Sequence, residues 1–252
     1  MLCALLLVLT TSRVAAGQIV NIQPLVAKDD RVGLSGAMEA SADWRSGNTD
    51  LLLLSGSLVG RYRQSRHLVF LLARGEYGVE KGDRFVSTDL EHLRYRVGIT
   101  PPLELEVFAQ HDRDEFRRLA LRTLGGAGPR LHFLNWAAMD AALGAAYLVE
   151  YEELRAGDES DAGETQLNHR ISSYLTLAIR LNDWLRLGHT FYVQPRVDGF
   201  EDVRVLSETE FLITVTKHFS FKLALSTALD SQPPVGVQAV DAKRKGSIQL
   251  TF

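Results

Sequence analysis

The chain has 252 residues, 46% of them apolar and 23% charged, with a formal charge of -3, a pI near 6.2 and a mean hydropathy of -0.04. That hydropathy excludes a bundle of membrane helices, each of which needs ~20 nearly unbroken apolar residues, but not a membrane barrel, whose strands are apolar on one face only. The charge leaves no surplus of Lys and Arg to displace counterions from phosphates, so no nucleic-acid partner is expected.

At the N-terminus an apolar run from Leu2 to Leu9 is followed by Thr10, Thr11, Ser12 and Arg13, then by the small residues Val14, Ala15, Ala16 and Gly17. This length fits a secretory signal with cleavage near Ala16 or Gly17 and is too short for a spanning helix. A buried N-terminal strand is the alternative, and no Lys or Arg precedes the run. The single cysteine, Cys3, falls inside it. The mature chain is therefore expected to carry no thiol, disulfide or Cys-ligated zinc, which suits the bacterial envelope. The expected division is a signal peptide over 1–17, a periplasmic segment over 18–30 and a barrel over 31–252.

From Arg31 onward the hydrophobic period is two. Val32, Leu34, Gly36, Met38, Ala40, Ala42 and Trp44 alternate with Arg31, Ser35, Glu39, Ser41 and Asp43, a strand with one apolar and one polar face. The pattern returns over Met139 to Tyr151, Leu167 to Leu181 and Val203 to Val215. It is weakest around Leu93, Tyr95, Val97 and Ile99, where Asp89 and Glu91 share the apolar parity. Gln64 to Arg66, Thr100 to Pro102, Leu134 to Trp136, Asn182-Asp183 and Lys217-His218 read as tight turns. Between them lie breaks read as longer loops: Ser46 to Thr49, Glu80 to Arg84, Asp112 to Arg118, Arg155 to Gln166, Asp198 to Asp202 and Ser231 to Lys243. The runs number about twelve, an even count of the length that tilted membrane strands need.

Trp44, Tyr62, Tyr77, Tyr95, Tyr151, Trp184 and Phe252 fall toward strand ends, as interfacial girdles do. The chain closes on an alternating strand, Gly246 to Phe252, resembling the C-terminal assembly signal of outer-membrane barrels. These features predict an all-β fold: a closed antiparallel transmembrane β-barrel of about 12 strands in the bacterial outer membrane. Arg31 to Trp44 should meet Lys245 to Phe252, because a free strand edge has no water to bond in hydrocarbon. The expected partners are outer-membrane lipid and the barrel assembly machinery, engaged through the C-terminal strand. A soluble lipocalin-like barrel or β-sandwich has the same period with its apolar face inside.

Asp114-Glu115-Phe116-Arg117-Arg118-Leu119, Arg122 and Gly125-Gly126-Ala127-Gly128 follow Glu106-Val107-Phe108-Ala109-Gln110. With Ser46-Gly47-Asn48-Thr49 after the first strand, this run resembles the bacterial family that includes the salt-induced outer-membrane protein. The resemblance covers about Gly33 to Phe252. It implies an outer-membrane barrel, with a role in salt or osmotic stress suggested by the family name. It implies no activity or catalytic residues.

If the apolar parity faces lipid, the other faces the lumen. The acids of that set are Glu39, Asp43, Glu76, Glu104, Glu106, Asp140, Glu150, Glu208 and Glu210. Its bases are Arg61, Arg74, Arg94, Arg96, Arg122, Arg130, Arg170, Arg180, Arg186 and Arg204. Mixed signs on neighbouring strands suggest paired ladders that either fill the lumen or line a narrow path, and the slight excess of Arg gives a conducting form a weak preference for anions. Gly125, Gly126 and Gly128 read as sites of curvature or close approach, without the pattern of a phosphate loop. Among outward hydroxyls and imidazoles, His189 is placed opposite Thr176 and Phe211, far from Ser173 and Ser207, so no catalytic pair is expected. His111, Asp112 and Asp114 read as a solvated rim. Gly157 to Glu164 reads as a flexible acidic loop without a calcium register. No enzyme activity, metal or cofactor is expected.

Overall fold

A computed structural model describes residues 19, 21, 32–47, 50–216 and 219–250. The signal segment with Cys3, the Lys217-His218 turn and the terminal Phe252 lie outside the described residues. No helix among the described residues is long and apolar enough to cross a membrane.

Twelve antiparallel strands follow one another in chain order. They are β1 (Gly33–Arg45), β2 (Leu51–Gln64), β3 (His67–Glu80), β4 (Asp83–Thr100), β5 (Leu103–Asp114), β6 (Leu119–Asn135), β7 (Met139–Leu154), β8 (Thr165–Arg180), β9 (Leu185–Arg196), β10 (Gly199–Thr216), β11 (Phe219–Asp230) and β12 (Val240–Leu250). Each pairs with its successor, so the alternation read from the sequence becomes two faces. A row of partners runs Glu39, Ser57, Arg74, Leu90, Asp112, Arg122 and Glu152 along one of them. The paired sheet runs from β1 to β12, and among the described residues these two outer strands have no ladder between them.

Contacts between distant strands show that the sheet curls around that face. Arg204 on β10 bonds Glu150 on β7, Tyr174 on β8 bonds Glu106 on β5, and Arg117, ahead of β6, lies 3.9 Å from Asp241 on β12. The concave face is thus an interior. The convex face carries exposed Leu54, Leu58, Leu71, Leu93, Val107, Leu143, Leu175 and Phe191. Exposed aromatic residues form a belt at each end, with Trp44, Tyr77, Tyr151 and Phe200 toward one and Tyr62, Phe133, Trp136 and Trp184 toward the other.

Several breaks differ from the sequence expectation. The break at Glu80 to Arg84 is a two-residue turn, with Lys81 at φ 52° and Gly82 at φ 91°. Two positive φ values match the twist of the flanking strands, and glycine takes the second at no steric cost. The break at Asp198 to Asp202 likewise contracts to Val197-Asp198. The presumed loop from Asp112 is the end of β5, followed by a single 3-10 turn over Glu115–Arg117 that Asp114 caps by accepting from the Phe116 and Arg117 amides. The weakly patterned stretch around Tyr95 belongs to an 18-residue strand. Charged residues at strand ends imitate loops because the concave face is itself charged.

Candidate lumen site

All nineteen residues expected on the lumen side have concave parity in the ladder, but they differ in surroundings. Arg61, Arg94, Arg96, Glu106, Arg122, Arg130, Glu150, Arg170 and Arg204 are buried. Asp43, Glu76, Glu104, Asp140, Glu208 and Glu210 are half-buried, while Glu39, Arg74, Arg180 and Arg186 are exposed.

The buried charges form two storeys. Toward the short-turn end, Glu106 accepts from Arg94 Nη1 at 2.6 Å and from the Tyr174 hydroxyl, and forms an ion pair with Arg96, whose Nε lies 3.3 Å away. Arg130 Nη1 donates to the Tyr174 oxygen at 3.0 Å, and its Nε lies 3.4 Å from Glu104, which also meets His132 at 3.3 Å. Toward the other end, three guanidiniums converge on Glu150: Arg204 at 2.7 Å, Arg170 at 3.3 Å and Arg122 at 3.9 Å. Each has a further carboxylate, namely Glu152 at 2.9 Å, Asp202 at 3.0 Å and Asp112 at 3.0 Å respectively. A charge desolvated alone costs several kcal/mol, so a dry interior of this composition needs every acid matched by a base. Between the storeys lie Phe108, Leu124, Leu148, Tyr192 and Leu206, with Arg94 stacked over Phe108 at 4.8 Å.

Glycines make room for the large inward groups. A Cβ on Gly126 would come within 2.6 Å of the Phe108 ring, one on Gly144 would overlap the Tyr174 ring, and one on Gly128 would strike the Ala145 carbonyl. The close-approach reading therefore holds for Gly126 and Gly128, whereas Gly125 meets only an ordinary contact at 3.8 Å.

Sequence reasoning missed much of this interior. Asp112 and Asp114, read as a solvated rim, are buried inward groups, and His92, Gln110, Asn168, Tyr192, Gln194, Asp202 and Asp230 join them. The signal was parity: the even positions from Leu90 to Arg96 on β4 and from Glu104 to Asp114 on β5 point inward. The acidic loop after β7 is also pinned. Asp161 accepts from Arg118 Nη1 at 2.6 Å and from the Val235 amide at 2.8 Å, tying it to the β11–β12 loop. The Val235 bond is the largest of the influences that hold the Asp161 carboxyl below its ordinary range; burial acts against it, and the Arg118 hydrogen bond adds to it. Burial pushes Glu115 up, but hydrogen bonds from Arg84 and Arg155, both at 2.5 Å, more than offset it and leave Glu115 below the usual range.

On the convex face four imidazoles each meet a hydroxyl across a strand pair: His67 with Tyr95 at 2.6 Å, His169 with Tyr147 at 2.6 Å, His111 with Thr123 at 3.3 Å and His189 with Thr209 at 2.9 Å. His189 pairs with Leu177 and Thr209 in the ladder, one and two residues from the expected positions. Recurrence on unrelated strands marks these as mutual satisfaction of polar groups on an apolar surface. Asp89, Glu91 and His111 bring three donor atoms within 4.8 Å of one another, the grouping of metal-ligand type among the described residues. Glu91 and His111 are 20 residues apart in sequence, so no spacing motif announced it.

The family model described as "Protein of unknown function, DUF481" matches residues 38–252. The chain belongs to this family. No curated protein sequence matches the chain. Among solved structures, a NanC porin superposes with a TM-score of 0.51 at 8% identity, covering 86% of this chain and 100% of the porin. A structure from a study of in-meso crystallization of membrane proteins gives 0.40 at 11% identity, covering 87% and 83%. The outer membrane channel DcaP of Acinetobacter baumannii gives 0.32 at 10% identity, covering 86% and 96%. At such identity the NanC match speaks to the fold alone, which is porin-like.

Proposed function

We propose that this DUF481 member is an exported outer-membrane β-barrel of channel type, closed by pairing of β1 with β12. The observation that carries the reading is inverted polarity: large apolar side chains are exposed on the convex face while arginines and carboxylates are buried in the concave one. A soluble barrel needs the opposite arrangement, whereas a lipid-facing barrel needs this one. Closure follows because unpaired strand edges in hydrocarbon cost several kcal/mol per unsatisfied group, and an even strand count sets β1 and β12 antiparallel. Outer-membrane lipid and the assembly machinery, reached through the C-terminal strand, are the partners of this reading. It assigns no catalysis.

The two charged storeys seal the middle of the interior, so the path is narrow. It follows the wall of β1–β3 and β10–β12, where Glu76, Glu208 and Glu210 are half-buried and Arg74 is exposed. The weak preference for anions rests on the slight excess of Arg among the inward residues read from the sequence. Planar-bilayer recording of the purified barrel should give a small unitary conductance with a reversal potential leaning toward the anion in a KCl gradient. Absence of any conductance would remove the channel reading and favour a non-conducting scaffold whose tied loops bind a partner, which a swap of residues 155–166 would test. A role in salt or osmotic stress rests on the sequence resemblance, and a deletion strain growing normally at high salt would remove it.

A further inference from the structure

The connection between β11 and β12, residues 231–239, leaves the wall at the same end as the β5–β6 and β7–β8 connections. Its root is fixed to β10: Ser231 Oγ accepts from the Val203 amide at 2.8 Å and donates to the Glu201 carbonyl at 2.8 Å. Pro233 and Pro234 then stiffen the chain, because each ring fixes its own φ. The tip is a tight turn in which the Val237 amide donates to the Pro234 carbonyl at 3.0 Å and Gly236 takes φ 80°, the positive value that a type II turn asks of that position. Both backbone groups of Val235 in this turn are held by other loops. Its amide donates to Asp161 Oδ2 at 2.8 Å and its carbonyl accepts from Arg118 Nη1 at 2.9 Å, while the same Nη1 donates to Asp161 Oδ1 at 2.6 Å.

Six strands, β6 to β11, separate the two sides of the Arg118 contact along the sheet, and in a closed ring of twelve those two connections are opposite each other. Arg117 and Asp241, 3.9 Å apart, make a second contact over the same span. Beneath the crossing, Pro234 shares a cavity of about 530 Å³ with the inward residues Arg74, Leu90, Asp112, Arg122 and Glu152. Arg74 belongs to the path along β1–β3 and β10–β12, so the loop stands over the outer end of that path.

We propose that the β11–β12 loop is a strap across the outer mouth and acts as the size filter of the channel, held in place by Asp161 and Arg118. A loop bonded only at its root swings aside when a solute presses on it. One bonded at root and tip divides the opening into smaller ones, and pore width decides which solutes pass. The two anchoring side chains are 15% and 13% exposed, so water and salt screen their pair less than an open surface pair. Neither anchor belongs to the charged storeys, so both can be changed while the interior keeps its pairs. The filter rests on the barrel being a channel; the crossing does not.

The test uses the full-length chain with Cys3→Ser, Asp161→Cys and Val235→Cys, joined in outer-membrane vesicles by a short bis-methanethiosulfonate that dithiothreitol removes. The folded protein should cross-link. In planar bilayers, release of the link should raise the unitary conductance about twofold and admit larger poly(ethylene glycol) molecules, because a wider opening passes larger solutes. Asp161→Ala combined with Arg118→Ala should match the released form. Absence of the cross-link in the folded protein overturns the proposal whatever the conductance. A cross-link in a conducting barrel whose conductance and polymer cut-off do not change on release overturns the filter and leaves the loop as a brace. A cross-link in a barrel that conducts in no form overturns the channel reading and the filter together, while the crossing stands.

Discussion

Glu150→Gln is the perturbation that best separates a dry, ion-paired interior from a wet one. The side chain is 1% exposed and receives three guanidiniums, those of Arg122 and Arg170 being 1% and that of Arg204 5% exposed. The amide keeps the shape and removes the charge. Each arginine retains at least one outer carboxylate, Arg204 keeping both Glu152 and Asp230, but the central attraction is lost and an amide hydrogen is turned toward cations. Removing one partner of a buried pair costs about 3–5 kcal/mol. At a urea slope of about 2–3 kcal/mol per molar, the unfolding midpoint of the barrel in detergent micelles should fall by roughly 1–2.5 M, followed by tryptophan fluorescence. Glu210→Gln is the internal comparison. Its pair with Lys222 is equally short at 2.7 Å but 31% and 38% exposed, so its loss should cost less than about 1 kcal/mol. Equal small shifts for the two substitutions would refute the reasoning, because they would mean that water screens the Glu150 cluster as it screens the rim.

Gly144→Val should lower the yield of folded barrel and cost about 1–3 kcal/mol or more by forcing the Tyr174 ring aside, whereas Gly188→Ala, with nothing within 4 Å, should be nearly neutral; refolding yield on unheated gels reads both. Leu143→Arg, at an exposed position on the convex face, should cost about 2–4 kcal/mol if the residue sits near the bilayer midplane and about 0.5 kcal/mol or less if that face meets water, read by urea titration in lipid vesicles. The tie between the two long loops should respond to acid. A depressed Asp161 carboxyl contributes stability that is complete above the ordinary aspartate range and lost as pH falls through the lowered folded value. Protection of the Val235 amide from hydrogen exchange, taken relative to its intrinsic rate at each pH, should therefore fall at low pH in the native chain and lose that pH dependence in Asp161→Asn.

Alternation made the strands legible wherever the convex face was purely apolar, as in Met139 to Tyr151, because period two has no helical imitation at that length. It failed where inward residues were as polar as a loop. Asp112 and Asp114 end a strand and pair with Arg122 and a 3-10 turn, yet in sequence they are two acids beside Arg113 and Glu115. The charged list had concave parity throughout, but parity carries no information on which charges meet. Glu150 finds Arg204 54 residues away because two strands, β8 and β9, curl between them.

Outer-membrane fractionation with heat-modifiable gel mobility tests the central claim most directly. The account predicts that the native chain sediments with the outer membrane, resists extraction by urea, and migrates faster unheated than boiled, as a closed barrel does. Recovery in the soluble periplasmic fraction would contradict it.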